Sequence, residues 1–292
     1  MKILQTIMFL LCTCMAAFPL HAQEKLDLKG TACVPVRSVS EESLAFQHGE
    51  KMEFVLHYQW GTINTDVATA TVELDSLTYN GEKAFRCSAY GKTSRMFDLF
   101  FKVREDFDSW FTRDGLKPLK FTRDTYEGGY EARNTYHYIW DAAEPYFAAD
   151  VYSSKRGIKA ITLPLTPCTF DLPSLFFFAR NMDFDVVEPG RRYPMTFAID
   201  DDVYNVYFIL HGRETRKIPG LGTVKSIKFA AKLLEGEVFK GEEDMLIWVS
   251  YDENRLPVYF EAPLLVGVAS GRLSGYKCLK HPFDSLVKTK KR

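Results

Sequence analysis

Apolar and polar residues alternate along most of this chain. The alternation recurs over residues 52–60, 68–77, 84–90, 106–111, 130–140, 195–199, 204–210, 226–232, 246–251 and 258–262. These segments are β-branched and aromatic, with Gly, Asn or Asp between most of them, which predicts strands with one buried face. Asn80-Gly81, between Leu77 and Phe85, predicts a tight hairpin, and Asp200-Asp201-Asp202 predicts a second turn. Two segments break the period. Residues 94–102 read as a short, very apolar turn, and residues 172–182 as a helix capped by Asp171 with Pro173 in its first turn, where a missing N–H costs little. The predicted fold class is all-β: mostly antiparallel, curved sheets or a partly closed barrel of two similar halves, with one or two short helices.

The two halves share a pattern. Glu105-Asp106 is followed by Trp110, Asp114, Pro118-Leu119 and Phe121; Glu243-Asp244 is followed by Trp248, Asp252, Pro257-Val258 and Phe260. The Asp–Trp–Asp spacing is the same, the step to Pro differs by one residue, and each half opens with a glycine, Gly49 or Gly190. This predicts a duplication that places Trp110 and Trp248 on equivalent strands, with Pro118 and Pro257 each opening the next, where a sheet tolerates a missing donor. The implied organisation is a signal peptide (1–22), an N-terminal arm (23–45), a first β half (46–163), a linker with a short helix (164–185), a second β half (186–280) and a basic tail (281–292).

Lys2 followed by an apolar run to Leu20 and a small residue at Ala22 has the form of a cleaved secretory signal. The reading is an exported protein of the periplasm or cell envelope of a Gram-negative bacterium. Cys12 and Cys14 fall inside that run, leaving Cys33, Cys87, Cys168 and Cys278 as disulfide candidates with three possible connectivities. Beyond the leader no stretch is long and apolar enough for a membrane-spanning helix. A transmembrane β-barrel is disfavoured because charged residues occupy both faces of many strands and the chain ends in Lys288-Thr-Lys-Lys-Arg292. A formal charge of −1, without a basic run before that terminus, excludes a nucleic-acid partner.

Motifs for chemistry are absent. The chain lacks a Gly-x-Ser-x-Gly elbow, a two-histidine helical zinc spacing and a complete glycine-rich phosphate loop, and no cofactor or metal is expected. His57 and His137 read as satisfied strand histidines, and Asp200 to Asp202 as a hairpin tip instead of a calcium loop. Asp106, Asp114, Asp244 and Asp252 bracket the two tryptophans; facing carboxylates there could hydrolyse a glycoside, although aspartates at strand ends are usually turn formers. Arg180 reads as an anchor reaching a carboxylate or carbonyls on a sheet. The aromatic content of 14% includes two runs apolar on more than one face, Phe97-Asp-Leu-Phe-Phe101 and Leu175-Phe-Phe-Phe178. They either plug the sheet interior or line a groove. The candidate binding residues are therefore Phe97, Phe100, Phe101, Trp110, Phe176, Phe177, Arg180 and Trp248.

Gly49-Glu50 before a strand, Asp98 with Phe100-Phe-Lys-Val-Arg104, Cys168-Thr-Phe-Asp171 with Ser174 and Arg180, and Asp252 followed by Leu256-Pro-Val258 resemble the exported bacterial domain-of-unknown-function family 3108, in particular its Bacteroidetes members. The resemblance spans roughly residues 46–273 and departs from the pattern at Pro173. It implies export and a β-rich fold, and carries no catalytic residue across. The leading expectation is a non-catalytic envelope protein that binds an amphiphilic lipid, a glycan or a protein on a curved sheet. The alternatives are an envelope hydrolase using carboxylates near Trp110 and Trp248, and an assembly factor without a small-molecule ligand.

Overall fold

The period-two segments fold as strands, most of them longer than the alternation alone indicates. The computed structural model describes residues 34–166, 168–231 and 245–289. The leader, the first part of the arm, Cys33 and Asp244 lie outside these. The first meander consists of β1 (Lys51–Trp60), β2 (Ile63–Tyr79), β3 (Glu82–Thr93), β4 (Val103–Thr112), β5 (Pro118–Glu127), β6 (Tyr130–Ile139), β7 (Tyr146–Ser153) and β8 (Gly157–Pro164). The second contains β10 (Arg192–Ile199), β11 (Asp202–Ile218), β12 (Gly222–Ala231), β13 (Met245–Ser250), β14 (Pro257–Pro263) and β15 (Val268–Lys277). Short strands β9 (Thr169–Phe170) and β16 (Leu286–Thr289) flank it, and the helices are α1 (Arg95–Asp98) and α2 (Leu172–Ala179).

All the strands belong to one sheet. Each meander runs in sequence order with antiparallel neighbours, β1 pairs with β15 to join them, β9 lies parallel to β10, and β16 adds to β12. Asn80 and Gly81 both take positive φ, as a two-residue primed turn requires. The end of the chain expected to be a basic tail is partly built into the fold. Besides the β16 pairing, the Ser285 hydroxyl donates to Asp252 at 2.6 Å, and Phe283 and Leu286 pack on the core.

The sheet curls without closing its hydrogen-bond ladder. The β10–β11 tip meets the first meander through side chains: Arg123 of β5 donates to Asp200 at 2.7 Å, Tyr136 of β6 donates to the Asp200 carbonyl at 2.7 Å, and Lys159 of β8 reaches Asp201 at 3.0 Å. The main core lies between the meanders and draws on both, with Met52, Phe54, Phe85 and Phe111 from one and Met195, Phe208, Phe229 and Val258 from the other. Neither meander buries its apolar face alone, so the two fold as one body around this shared interior.

The two tryptophan strands match in register. On β4, Trp110 faces Lys120 of β5 and Phe111 faces Pro118; on β13, Trp248 faces Tyr259 of β14 and Val249 faces Pro257. Each pair thus carries a bulge immediately after the tryptophan, beside a proline that opens the next strand and cannot donate to the ladder.

Candidate functional site

The helix closes the interior. Asp171 caps α2 in a reciprocal box, accepting from the Ser174 amide at 2.9 Å while the Ser174 hydroxyl approaches the Asp171 amide at 3.0 Å. The other carboxylate oxygen accepts from Ser109 of β4 at 2.9 Å. Burial pushes the Asp171 carboxyl up to about 7 against these hydrogen bonds, which pull it down. Phe177 is wholly buried among Phe46, Phe111 and Phe176, and Phe178 lies tilted against Phe170. Arg180 sits between the Phe46 and Phe177 rings, forms a bidentate pair with Glu50 and donates to the Asn254 and Ala45 carbonyls. As folded, Phe177 and Arg180 offer no surface to a ligand, because the core consumes their contacts. The reading of this segment as a groove wall is corrected accordingly: its aromatics fill the space.

A second buried polar group lies at the β10–β11 tip. Glu105 of β4 and Glu127 of β5 share the inner face with Arg123, Thr125 and Asp200. One oxygen of Glu105 and both of Glu127 receive no N–H or hydroxyl donor. Burial pushes both carboxyls up, with Glu105 adding to the rise at Glu127, while Arg123, which also pairs with Asp200, pulls both down.

Phe97, Phe100 and Phe101 belong to the connection from β3 to β4, and Phe97 and Phe101 pack in clusters separate from that of Phe177. Arg104 grips Asp98 with both nitrogens, at 3.0 and 2.6 Å, and holds its carboxyl down to about 2, while the Thr93 hydroxyl donates to the same group. Phe101 lies over Gly128, where a Cβ would stand 2.0 Å from its ring. Phe97 packs inward, while Phe100 is exposed.

Trp110 and Trp248 lie in different meanders, and only Trp248 belongs to the main buried core. Trp248 is sealed under Arg216, whose guanidinium carbon lies 3.8 Å from its ring centre, and donates to Glu214 at 2.5 Å. Trp110 remains half-buried beneath Arg86 and Lys120. Of the carboxylates expected to pair for hydrolysis, Asp252 holds its own turn, accepting from Ser250, Asn254, Arg255 and Ser285, Asp114 accepts from the Glu41 amide, and Asp106 lies on β4. Asp244 lies outside the described residues.

Beside Trp110 the structure places an arrangement that single segments of sequence do not reveal. The pairings of β3 through β8 put Tyr90, Asp106, Asp124, Arg133, Tyr152 and Ile158 in one row across six strands. Ser88, Asp108, Thr122, Thr135 and Asp150 form the next row on the same face. From Asp106 to Ile158 in the first row and from Asp108 to Asp150 in the second, they line an open pocket of about 480 Å³. Arg86 holds Asp108 through two hydrogen bonds at 3.1 and 2.9 Å, and Arg133 lies 3.5 Å from Asp124 and over the Tyr152 ring. Burial, then Asp108 and Asp124, pushes the Asp106 carboxyl up. The pocket thus presents carboxylate acceptors, a guanidinium donor and the aromatic ring of Tyr152. The signal available in the sequence was Asp106, Asp108 and Trp110 at alternate positions of one strand.

Of the disulfide candidates, Cys168 is disulfide-bonded, whereas Cys87 is a free thiol in the core and Cys278 a free thiol at the surface. Cys87 and Cys278 are therefore corrected, and Cys33 lies outside the described residues. Among the described residues, no group of three or more His, Cys, Asp or Glu is arranged to hold a metal, and no helix is long and apolar enough to cross a membrane.

Among solved structures, the chain is similar to the crystal structure of a beta-barrel-like protein of domain of unknown function DUF1849 from Brucella abortus. The TM-score is 0.51 at 11% identity, covering 85% of this chain and 100% of that one. A crystal structure described as that of a "putative lipoprotein" from Parabacteroides distasonis ATCC 8503 aligns with TM-score 0.32 at 11% identity, over 80% of this chain and 99% of its own. No curated protein matches the chain. Residues 53–274, from β1 through β15, match the family described as "Protein of unknown function (DUF3108)", and the chain belongs to that family.

Proposed function

We propose that this protein is a non-catalytic, exported component of the bacterial envelope that binds a glycan on the outward face of β4–β8. The observation that carries this reading is the pocket beside Trp110, where carboxylates and Arg133 can bond hydroxyls while Tyr152 offers a ring to the apolar face of a sugar. The packed interior around Phe177 argues against an acyl chain held between the meanders. The apolar leader supports export. Asp114 and Asp252 are taken up by backbone and hydroxyl donors, which weighs against the hydrolase reading at those two positions, and the carboxylates that gather beside Trp110 are the pocket's own.

Calorimetric titration with oligosaccharides released from the envelope tests this. Binding should weaken at least tenfold in Tyr152→Ala and in Asp106→Asn, neither of which touches the core, and the sugar should be recovered intact after long incubation. Undiminished binding by both variants, or cleavage of the sugar, would refute the reading.

A further inference from the structure

We propose that one end of the curled sheet, formed by the β1–β2, β3–β4 and β14–β15 connections, docks on an anionic lipid surface. Strands β14, β15, β1, β2 and β3 are consecutive neighbours in the sheet, so these three connections form a continuous lip. It is apolar and exposed: Leu99 is 83% accessible, Met96 57%, Phe100 53% and Leu265 48%, with Trp60 and Val268 beside them. Scattered apolar residues on a surface need no explanation, whereas a contiguous patch on adjoining loops does.

The lip is built, not frayed. Phe97 plugs into the cluster of Tyr58, Val67 and Leu264, which ties α1 to both neighbouring tips. Tyr58 donates to the Val266 carbonyl at 2.8 Å, and Gly267 lies so close to β1 that a Cβ would stand 2.4 Å from the Gln59 carbonyl oxygen. The Asp98–Arg104–Thr93 network and the seat of Phe101 on Gly128 fix the other side. Between these anchors Leu99 and Phe100 are held outward with nowhere in the fold to go.

Charge selects the occupant. Residues 59–63 and 262–268 carry no charged side chain, and within 92–104 the one acid, Asp98, is spent on Arg104. Lys92, Arg95 and Lys102 form no salt bridge among the described residues. Apolar side chains at the tip, with cations set back from it that form no ion pair with a carboxylate, Lys92 and Lys102 lying against tyrosine rings, match an acyl boundary below a layer of negative headgroups. A second copy of the chain would bring these cations against their own kind.

The test uses the processed protein purified from the envelope, floated with vesicles of phosphatidylglycerol and phosphatidylethanolamine. A Phe100→Trp variant reports contact of the lip itself through quenching by brominated phosphatidylglycerol, whatever the N-terminus does. Quenching and flotation should be strong on these vesicles and weak on phosphatidylcholine. Leu99→Ser/Phe100→Ser should reduce flotation at least tenfold, Lys102→Gln about fivefold, and the distant Val186→Ser not at all. All four altered side chains are exposed, so folding should persist. Absence of quenching at position 100, flotation unchanged in the double variant, or a protein dimer dissolved by that variant would overturn the proposal.

Discussion

Arg180 and Glu50 form a bidentate ion pair with both side chains essentially out of solvent, at the point where helix, arm and β1 converge. The remaining donors of Arg180 go to Asn254 and Ala45, and the Asn254 side chain in turn donates to the carbonyls of His281 and Pro282. Four segments distant in sequence are therefore tied through one guanidinium. Removing a single partner leaves an uncompensated buried charge, and Arg180→Ala or Glu50→Ala should each lower stability by about 3–5 kcal/mol. Urea unfolding of both and of the double variant checks this. The double variant should lose far less than the sum of the two, and additive losses would show that the pair is not coupled.

Phe177 provides a separate test of the filled interior. Its ring touches Phe46, Phe111 and Phe176, so Phe177→Ala should cost about 3–5 kcal/mol. A melting temperature close to that of the wild type would mean that the helix is a removable wall.

The legible parts of this fold are those where burial and polarity coincide. β6 shows it: Ala132, Tyr136 and Tyr138 point inward while Arg133 and His137 point out, and the alternation is plain in the sequence. β5 was not apparent as a segment because its inward positions include Arg123, Thr125 and Glu127, a polar cluster that erases the contrast. β15 hid for the opposite reason. Its Gly271 lacks a side chain because Phe260 lies across it, where a Cβ would stand 2.1 Å from the ring. The cap at Asp171 and the anchoring role of Arg180 followed from local chemistry. The pocket could not, since it depends on the register of six strands. The shared Asp–Trp–Asp spacing is accompanied by matching bulges at Pro118 and Pro257, which supports our proposal that the halves arose by duplication.

The thiols should separate by reactivity. Cys278 is exposed and Cys87 is buried in the core, where burial pushes its thiol well up. Maleimide added to the native protein should modify Cys278 alone, Cys87 should follow only on unfolding, and Cys168 should need reduction as well. Mass mapping of labelled peptides reads this directly, and native labelling of Cys87 would show that the core opens there.

Asp171 should give the fold a pH dependence of definite sign. In the unfolded chain its carboxyl titrates near the ordinary value of about 3.9, whereas burial holds it near about 7 in the folded protein. The folded state therefore binds the proton more tightly. The stabilisation from this group is complete below about pH 4 and is lost as pH rises through about 7, at up to about 1.4 kcal/mol per pH unit for one proton. Asp171→Asn keeps a cap oxygen for the Ser174 amide and places a neutral amide beside Ser109. Urea midpoints between pH 4.5 and 7 should fall for the wild type and flatten for Asp171→Asn, so that the variant gains on the wild type toward neutrality. Asp171→Ala should flatten the slope as well, while losing about 1 kcal/mol more with the cap. Parallel pH profiles for wild type and Asp171→Asn would place the titrating proton elsewhere, with the Glu105–Glu127 pair as the next group to replace.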